Sequence, residues 1–144
     1  MAGQNYENHA RIDTGFHRIL LVVQLACLIG AGVNLWRNWG EHEVRYSAAL
    51  LVAAFLVVFV VSIYARVFAL KAQDRAIRAE ENLRHFVLTG KLLDARLGVK
   101  QIVALRFASD EEFVELARQA AETGLEPDAI KRAVKNWRAD HYRV

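Results

Sequence analysis

Residues 47–65, SAALLVAAFLVVFVVSIYA, contain no charged side chain, no Gly and no Pro, and they decide what the chain can become. A bilayer core about 30 Å thick is crossed by roughly 20 apolar residues at 1.5 Å rise each. A soluble amphipathic helix keeps one polar face, which this run lacks. A second run, FHRILLVVQLACLIGAGVNLW (residues 16–36), has no charge after Arg18. Both are expected to span a membrane. The first is read as a retained span, not a cleaved leader, because it is long and lacks a clear small-x-small exit.

The intervening RNWGEHEVRY (37–46) is too short to recross a bilayer, so the spans form an antiparallel hairpin. Basic residues stay on the cytoplasmic side. The turn offers Arg37 and Arg45 against Glu41 and Glu43, whereas the outer flanks offer Arg11, Arg18, Arg66, Lys71, Arg75 and Arg78. Both termini are therefore expected in the cytoplasm. Trp36, Trp39 and Tyr46 suit one interfacial belt, and Phe16, Tyr64 and Phe68 the other.

In the first span Gln24, Cys27, Ala31 and Asn34 recur at steps of three and four and are expected to pack against the second span. On the second, Ser47, Ala54, Val58, Val61 and Ala65 offer a line of close approach. Ala26 and Gly30 lie on another side of the first helix and are candidates for self-association. Neither span holds an internal acid, base or Pro break, the usual traces of a pump or transporter.

From Tyr46 to Thr89 nothing stops a helix, so a rod of roughly 40 residues, on the order of 60 Å, is expected to leave the membrane as a stalk and end at Gly90. A long heptad seam is not sustained along it, since Asp74, Glu80 and Glu81 interrupt. Asp74 with Arg78 and Glu80 with Arg84 are spaced for ion pairs along its wall.

Three short helices follow. LGVKQIVALRFA places Val99, Val103 and Phe107 on one face. SDEEFVELARQAAETG has Ser109 and Glu112 spaced as a capping box and Gly124 as its stop. PDAIKRAVKNWRADHYRV begins with Pro127 and repeats Ile130, Ala133, Val134 and Trp137 at helical spacing, with Trp137 expected to anchor the core. Opposite them Lys131, Arg132, Lys135 and Arg138 form a basic face suited to anionic lipid headgroups, each adding on the order of 1 kcal/mol; Asp128 and Asp140 beside them argue against nucleic acid.

The segments QNYENHAR, ARVFALKAQDRAIRAEENLR, LRFASDEEF and IKRAVKNWRADHYRV together resemble a family of short bacterial inner-membrane proteins catalogued only as a domain of unknown function. That resemblance implies two spans and a soluble C-terminal tail. It brings no activity, cofactor or catalytic residue.

The organisation expected is all-α: an N-terminal cytoplasmic segment (1–15), spans at 16–36 and 47–69 joined by an external turn (37–46), a stalk (70–89) and a cytoplasmic helical domain (90–144). His9, His17, His42, His85 and His141 lack metal-site spacing, and Asp110, Glu111, Glu112 and Glu115 suit a helix first turn. No catalytic residue, metal or cofactor is expected, and the chain is not read as an enzyme. The lone Cys27 has no disulfide partner. The expected role is a membrane-anchored structural or interaction protein, oligomeric and docking itself or an unidentified cytoplasmic or membrane protein. The alternative is one subunit of a small oligomeric channel or transporter, because two helices cannot enclose a pore.

Overall fold

The computed structural model describes residues 4–8 and 13–140. His9, Arg11 and His141 lie outside the described residues. Within them the chain is helical, with five α-helices and no strand. Residues 13–69 form one compact unit, and residues 4–8 with 70–140 form another.

In the first unit a π-helical stretch, Gly15–Leu20, runs directly into α1, Leu21–Arg37. Asp13 starts it: its carboxylate accepts the Phe16 N–H (2.7 Å) and its carbonyl accepts the His17 N–H (2.9 Å). Asn38 ends α1, since its side-chain amide donates to the Asn34 carbonyl at 2.9 Å. The turn is shorter than the sequence suggests, because α2, His42–Thr89, already begins at His42. Arg45 secures it by donating to the Trp39 carbonyl (3.2 Å) with its guanidinium 5.8 Å from the Trp39 ring centre.

The face that α2 uses here differs from the expected one. Ser47, Ala54, Val58, Val61 and Ala65 are exposed, whereas Ala48 is buried and Val52, Phe55, Phe59 and Ser62 are partly covered. Their steps of four, three, four and three keep one seam toward a partner helix. On α1 the covered positions include Gln24, Cys27, Leu28, Ala31 and Leu35. In the antiparallel register set by Gln24 and Ser62, Ala31 falls level with Phe55, small against large.

In the other unit α2 ends where Gly90 turns to φ +73°, a conformation that costs a Cβ-bearing residue roughly 1–2 kcal/mol. The Gly90 N–H still reaches the Phe86 carbonyl at 2.7 Å. α3 (Val99–Leu105), α4 (Asp110–Thr123) and α5 (Pro127–Ala133) follow. α4 buries Phe113, Leu116, Ala117, Ala120 and Ala121, a stripe of helical period whose alanines admit close neighbours. It stops at Gly124, φ +65°. Gln101 ties α3 down: its side-chain oxygen accepts the Gly98 N–H and its amide donates to the Leu125 carbonyl, both at 2.7 Å.

Two expectations need correction. On α3 the buried positions are Ile102, Ala104 and Leu105, while Val99 and Val103 are only partly covered. The fully buried Phe107 lies beyond the helix end. And α5 stops at Ala133, where Val134 turns extended (φ −65°, ψ 121°). Residues 134–140 run as a strap across 107–109: Ser109 N–H to Asn136 carbonyl, 3.1 Å, and Arg138 N–H to Phe107 carbonyl, 2.7 Å. Glu112 explains the break, since its carboxylate takes the Lys135 and Asn136 N–H groups at 3.1 and 2.9 Å. It is thus a clasp for the strap and not half of a capping box. Ser109 makes no side-chain cap hydrogen bond.

Candidate functional site

The densest polar constellation joins α2 to the strap. Glu81 and Arg84 sit on consecutive turns of α2, with side chains only 5% and 11% exposed. Arg84 spends every arm: Nη1 donates to Glu81 (3.0 Å), Nε to Asp110 (2.7 Å) and Nη2 to the Ala108 carbonyl (2.8 Å). Its guanidinium lies 4.2 Å from the Phe113 ring centre, a cation-π contact on the core. The remaining Glu81 oxygen faces Arg138 at 3.5 Å. The ion pair spaced for Glu80 and Arg84 is therefore not the one formed, because Arg84 turns inward, to Glu81 and Asp110.

A second cation backs the strap. Arg106 pairs with Asp140 (Nε to Oδ2, 2.8 Å), donates to the Val103 carbonyl (3.0 Å) and lies 4.3 Å from the Phe107 ring centre. Trp137 packs on the same Phe107 ring, with ring centroids 4.9 Å apart. Trp137 is half-buried, so it closes the core from outside while Phe107, Phe113, Leu105 and Ile130 fill it. A cleft of about 420 Å³ lies between α2 and the strap, lined by Ile77, Glu80, Glu81, Arg106, Arg138 and Asp140.

The N-terminal segment docks on the same unit. Tyr6 donates its hydroxyl proton to Asp128 (2.8 Å) and accepts from Arg132 Nε (3.1 Å), while Gln4 accepts the Asp140 N–H (2.8 Å). Arg132 also pairs with Asp128 at 3.0 Å. The four basic residues expected to share one helix face are thus dispersed: Lys131 and Arg132 lie on α5, Lys135 and Arg138 on the strap. Arg132 and Arg138 are engaged with carboxylates of this chain. Nothing in a one-dimensional reading marked Tyr6, whose partner lies 122 residues away.

Between the apolar helices, Gln24 and Ala31 are buried and Cys27 is partly covered; Asn34 is exposed and bonds Asn38. Ser62 Oγ lies 3.0 Å from Gln24 Oε1 and 2.8 Å from the Phe59 carbonyl. One hydroxyl proton cannot serve both acceptors. With the amide rotated so that its nitrogen faces Ser62, Gln24 donates to the hydroxyl and the hydroxyl donates to Phe59, and both contacts are satisfied. Ala26 and Gly30 are exposed, and a Cβ on Gly30 would meet nothing within 4 Å.

Chemically, the carboxylates and guanidinium groups of the cluster neutralise one another. Among the described residues no group of three or more His, Cys, Asp and Glu side chains is placed to hold a metal ion. Outside the cluster, Arg96 hydrogen-bonds Asp94 and holds its carboxyl down at about 2, and Arg118 lowers Glu115 in the same way. These pairs stand in solvent.

The fold and its polar joints define an all-helical protein in which two helices are long and apolar enough to cross a membrane. The chain belongs to a family of unknown function, DUF6526, whose family model matches residues 1–144. No curated protein and no solved structure matches it.

Proposed function

We propose that this protein is a two-span membrane anchor holding a small helical interaction module on the cytoplasmic face of the bacterial inner membrane, and that it works as a homo-oligomer. The observation that carries the reading is the Tyr6 contact with Asp128 and Arg132. Residues 4–8 precede both apolar helices and the module follows them, yet the two pack together. A chain that crosses a bilayer twice returns to the side it left, so this contact suits a two-span anchor and not a single crossing. The basic flanks assign that side to the cytoplasm.

A binding role is favoured over catalysis because the buried charges are consumed in holding α2, α3, α4 and the strap together. Gln24, the amide a permeation path would draw on, is engaged by Ser62, which favours the structural reading over a channel subunit. Alkaline carbonate extraction of membranes carrying the full chain should leave it in the pellet, and its detergent-corrected mass should be a multiple of 16.3 kDa. Release into the supernatant would overturn the anchor, and a monomer mass would overturn the oligomer.

A further inference from the structure

The last turns of α2 carry an apolar face that this chain leaves uncovered. Ile77, Glu81 and Arg84 point into the module; Ala79 lies about 200° round the helix from Ile77, at about 100° per residue. Away from Ile77, Ala72, Ala76, Ala79, Leu83 and Phe86 recur at steps of four, three, four and three, and all five are exposed, with Ala76 at the edge, about 100° from Ile77, also bordering the cleft between α2 and the strap. Leu83 is 63% exposed and Val87 74%, with Leu92, just beyond Gly90, at 67%. Alternating steps of four and three give the 3.5-residue repeat by which one helix seats along another.

We infer that this face pairs, in parallel, with the same face of a second copy of the chain. The inference rests on the oligomeric reading above and names the surface that makes the oligomer. Charge selects the occupant. In this register Arg75 flanks the seam on the side of Ala79, and Glu80 flanks its other edge on the side of Ala76, where it borders the cleft. In a parallel pair a residue on the first flank reaches the residue five further along the opposite helix. Arg75 therefore meets Glu80 of the partner subunit, and the symmetric contact repeats it. An antiparallel pair would set the Arg75 flank against itself and the Glu80 flank against itself. Neither Arg75 nor Glu80 forms an ion pair among the described residues, whereas Arg84, Arg106, Arg132 and Arg138 all do. The small residues at 72, 76 and 79 let the helices approach closely enough for both charge pairs to close, and Leu83 with Phe86 supplies the apolar contact at the far end.

The test uses the full chain in membranes, in a Cys27→Ala background, with oxidative crosslinking of Ala72→Cys, Ala79→Cys or Phe86→Cys. Each should form a disulfide with its own copy and double the apparent mass, while Arg78→Cys, off the seam, should not. Arg75→Glu or Glu80→Arg alone should lower crosslinking at Ala79→Cys by about fivefold, and the two together should restore it. Crosslinking no better than at Arg78→Cys overturns the seam. Bonding of Ala72→Cys only to Phe86→Cys in mixed samples overturns the parallel arrangement. Seam cysteines shielded from a water-soluble maleimide but not crosslinked would mean that lipid or another protein covers the face, which also overturns it. A protein that resists carbonate and is multimeric by mass, yet fails at these positions, refutes the seam and leaves the anchor standing.

Discussion

Glu81 and Arg84 form an ion pair at 3.0 Å with both side chains almost withdrawn from solvent, and the rest of the module is arranged around it. A buried pair repays its desolvation only when the remaining donors and acceptors are also met. Here Asp110, the Ala108 carbonyl and Arg138 complete the set.

Arg84→Ala should therefore be among the most destabilising changes in the module. It leaves Glu81 only the longer Arg138 contact at 3.5 Å and removes the guanidinium from Phe113, for an expected loss of about 3 kcal/mol by chemical denaturation. Arg84→Lys should recover little, because an ammonium cannot span Glu81, Asp110 and the Ala108 carbonyl together. Wild-type stability for Arg84→Ala would show that Arg138 alone suffices for Glu81.

Glu112→Ala should free the strap. It leaves the Lys135 and Asn136 N–H groups without their carboxylate, at a cost of about 1–3 kcal/mol. Limited trypsin digestion should then cut after Lys135 and Arg138 well before it cuts within α4. Equal resistance in mutant and parent would mean that the contacts of 107–109 hold the strap alone.

Most of the helix plan was legible in the sequence because its signals are local. Gly90 and Gly124 supply the positive φ that ends a helix, and Pro127 sits at a first turn whose N–H has no intrahelical partner. The strap was not legible. VKNWR holds no Gly or Pro, and what stops α5 is a carboxylate 23 residues back in the chain. The same limit hid Tyr6 at the module. The packing face of α2 was illegible for a different reason: an apolar surface on all sides has no polar contrast for a period to appear in. On α1, Gln24 supplies that contrast: Gln24 and Ala31 are buried and Cys27 partly covered, whereas Asn34, next to the turn, is exposed.

The Gln24 and Ser62 contact should be worth about 0.5–2 kcal/mol within a bilayer, where the separated helices also find partners. A double-mutant cycle of Gln24→Leu and Ser62→Ala, read by unfolding in mild detergent, should return a favourable coupling of that size. Strict additivity would show that the two side chains do not interact.

Asp94 should titrate near 2, against an ordinary value of 3.8. A carboxyl depressed in the folded state stabilises it above the unfolded value, near pH 4, and that contribution is lost as the pH falls through about 2. Arg96→Ala should raise the Asp94 midpoint, followed by carboxyl NMR, toward the ordinary value while leaving stability at pH 7 almost unchanged, since both side chains stand in solvent. A midpoint that stays near 2 would assign the depression to the backbone and not to the guanidinium.

The central claim is that the chain crosses the membrane twice, with the Tyr6 segment and the module on one side. In a Cys27→Ala background, single cysteines at Asn5, Gly40 and Glu126 can be probed with a membrane-impermeant maleimide on intact cells and on lysed ones. The account predicts labelling of Gly40→Cys in intact cells, with Asn5→Cys and Glu126→Cys labelled only after lysis. Labelling of Asn5→Cys and Glu126→Cys from opposite sides would contradict it.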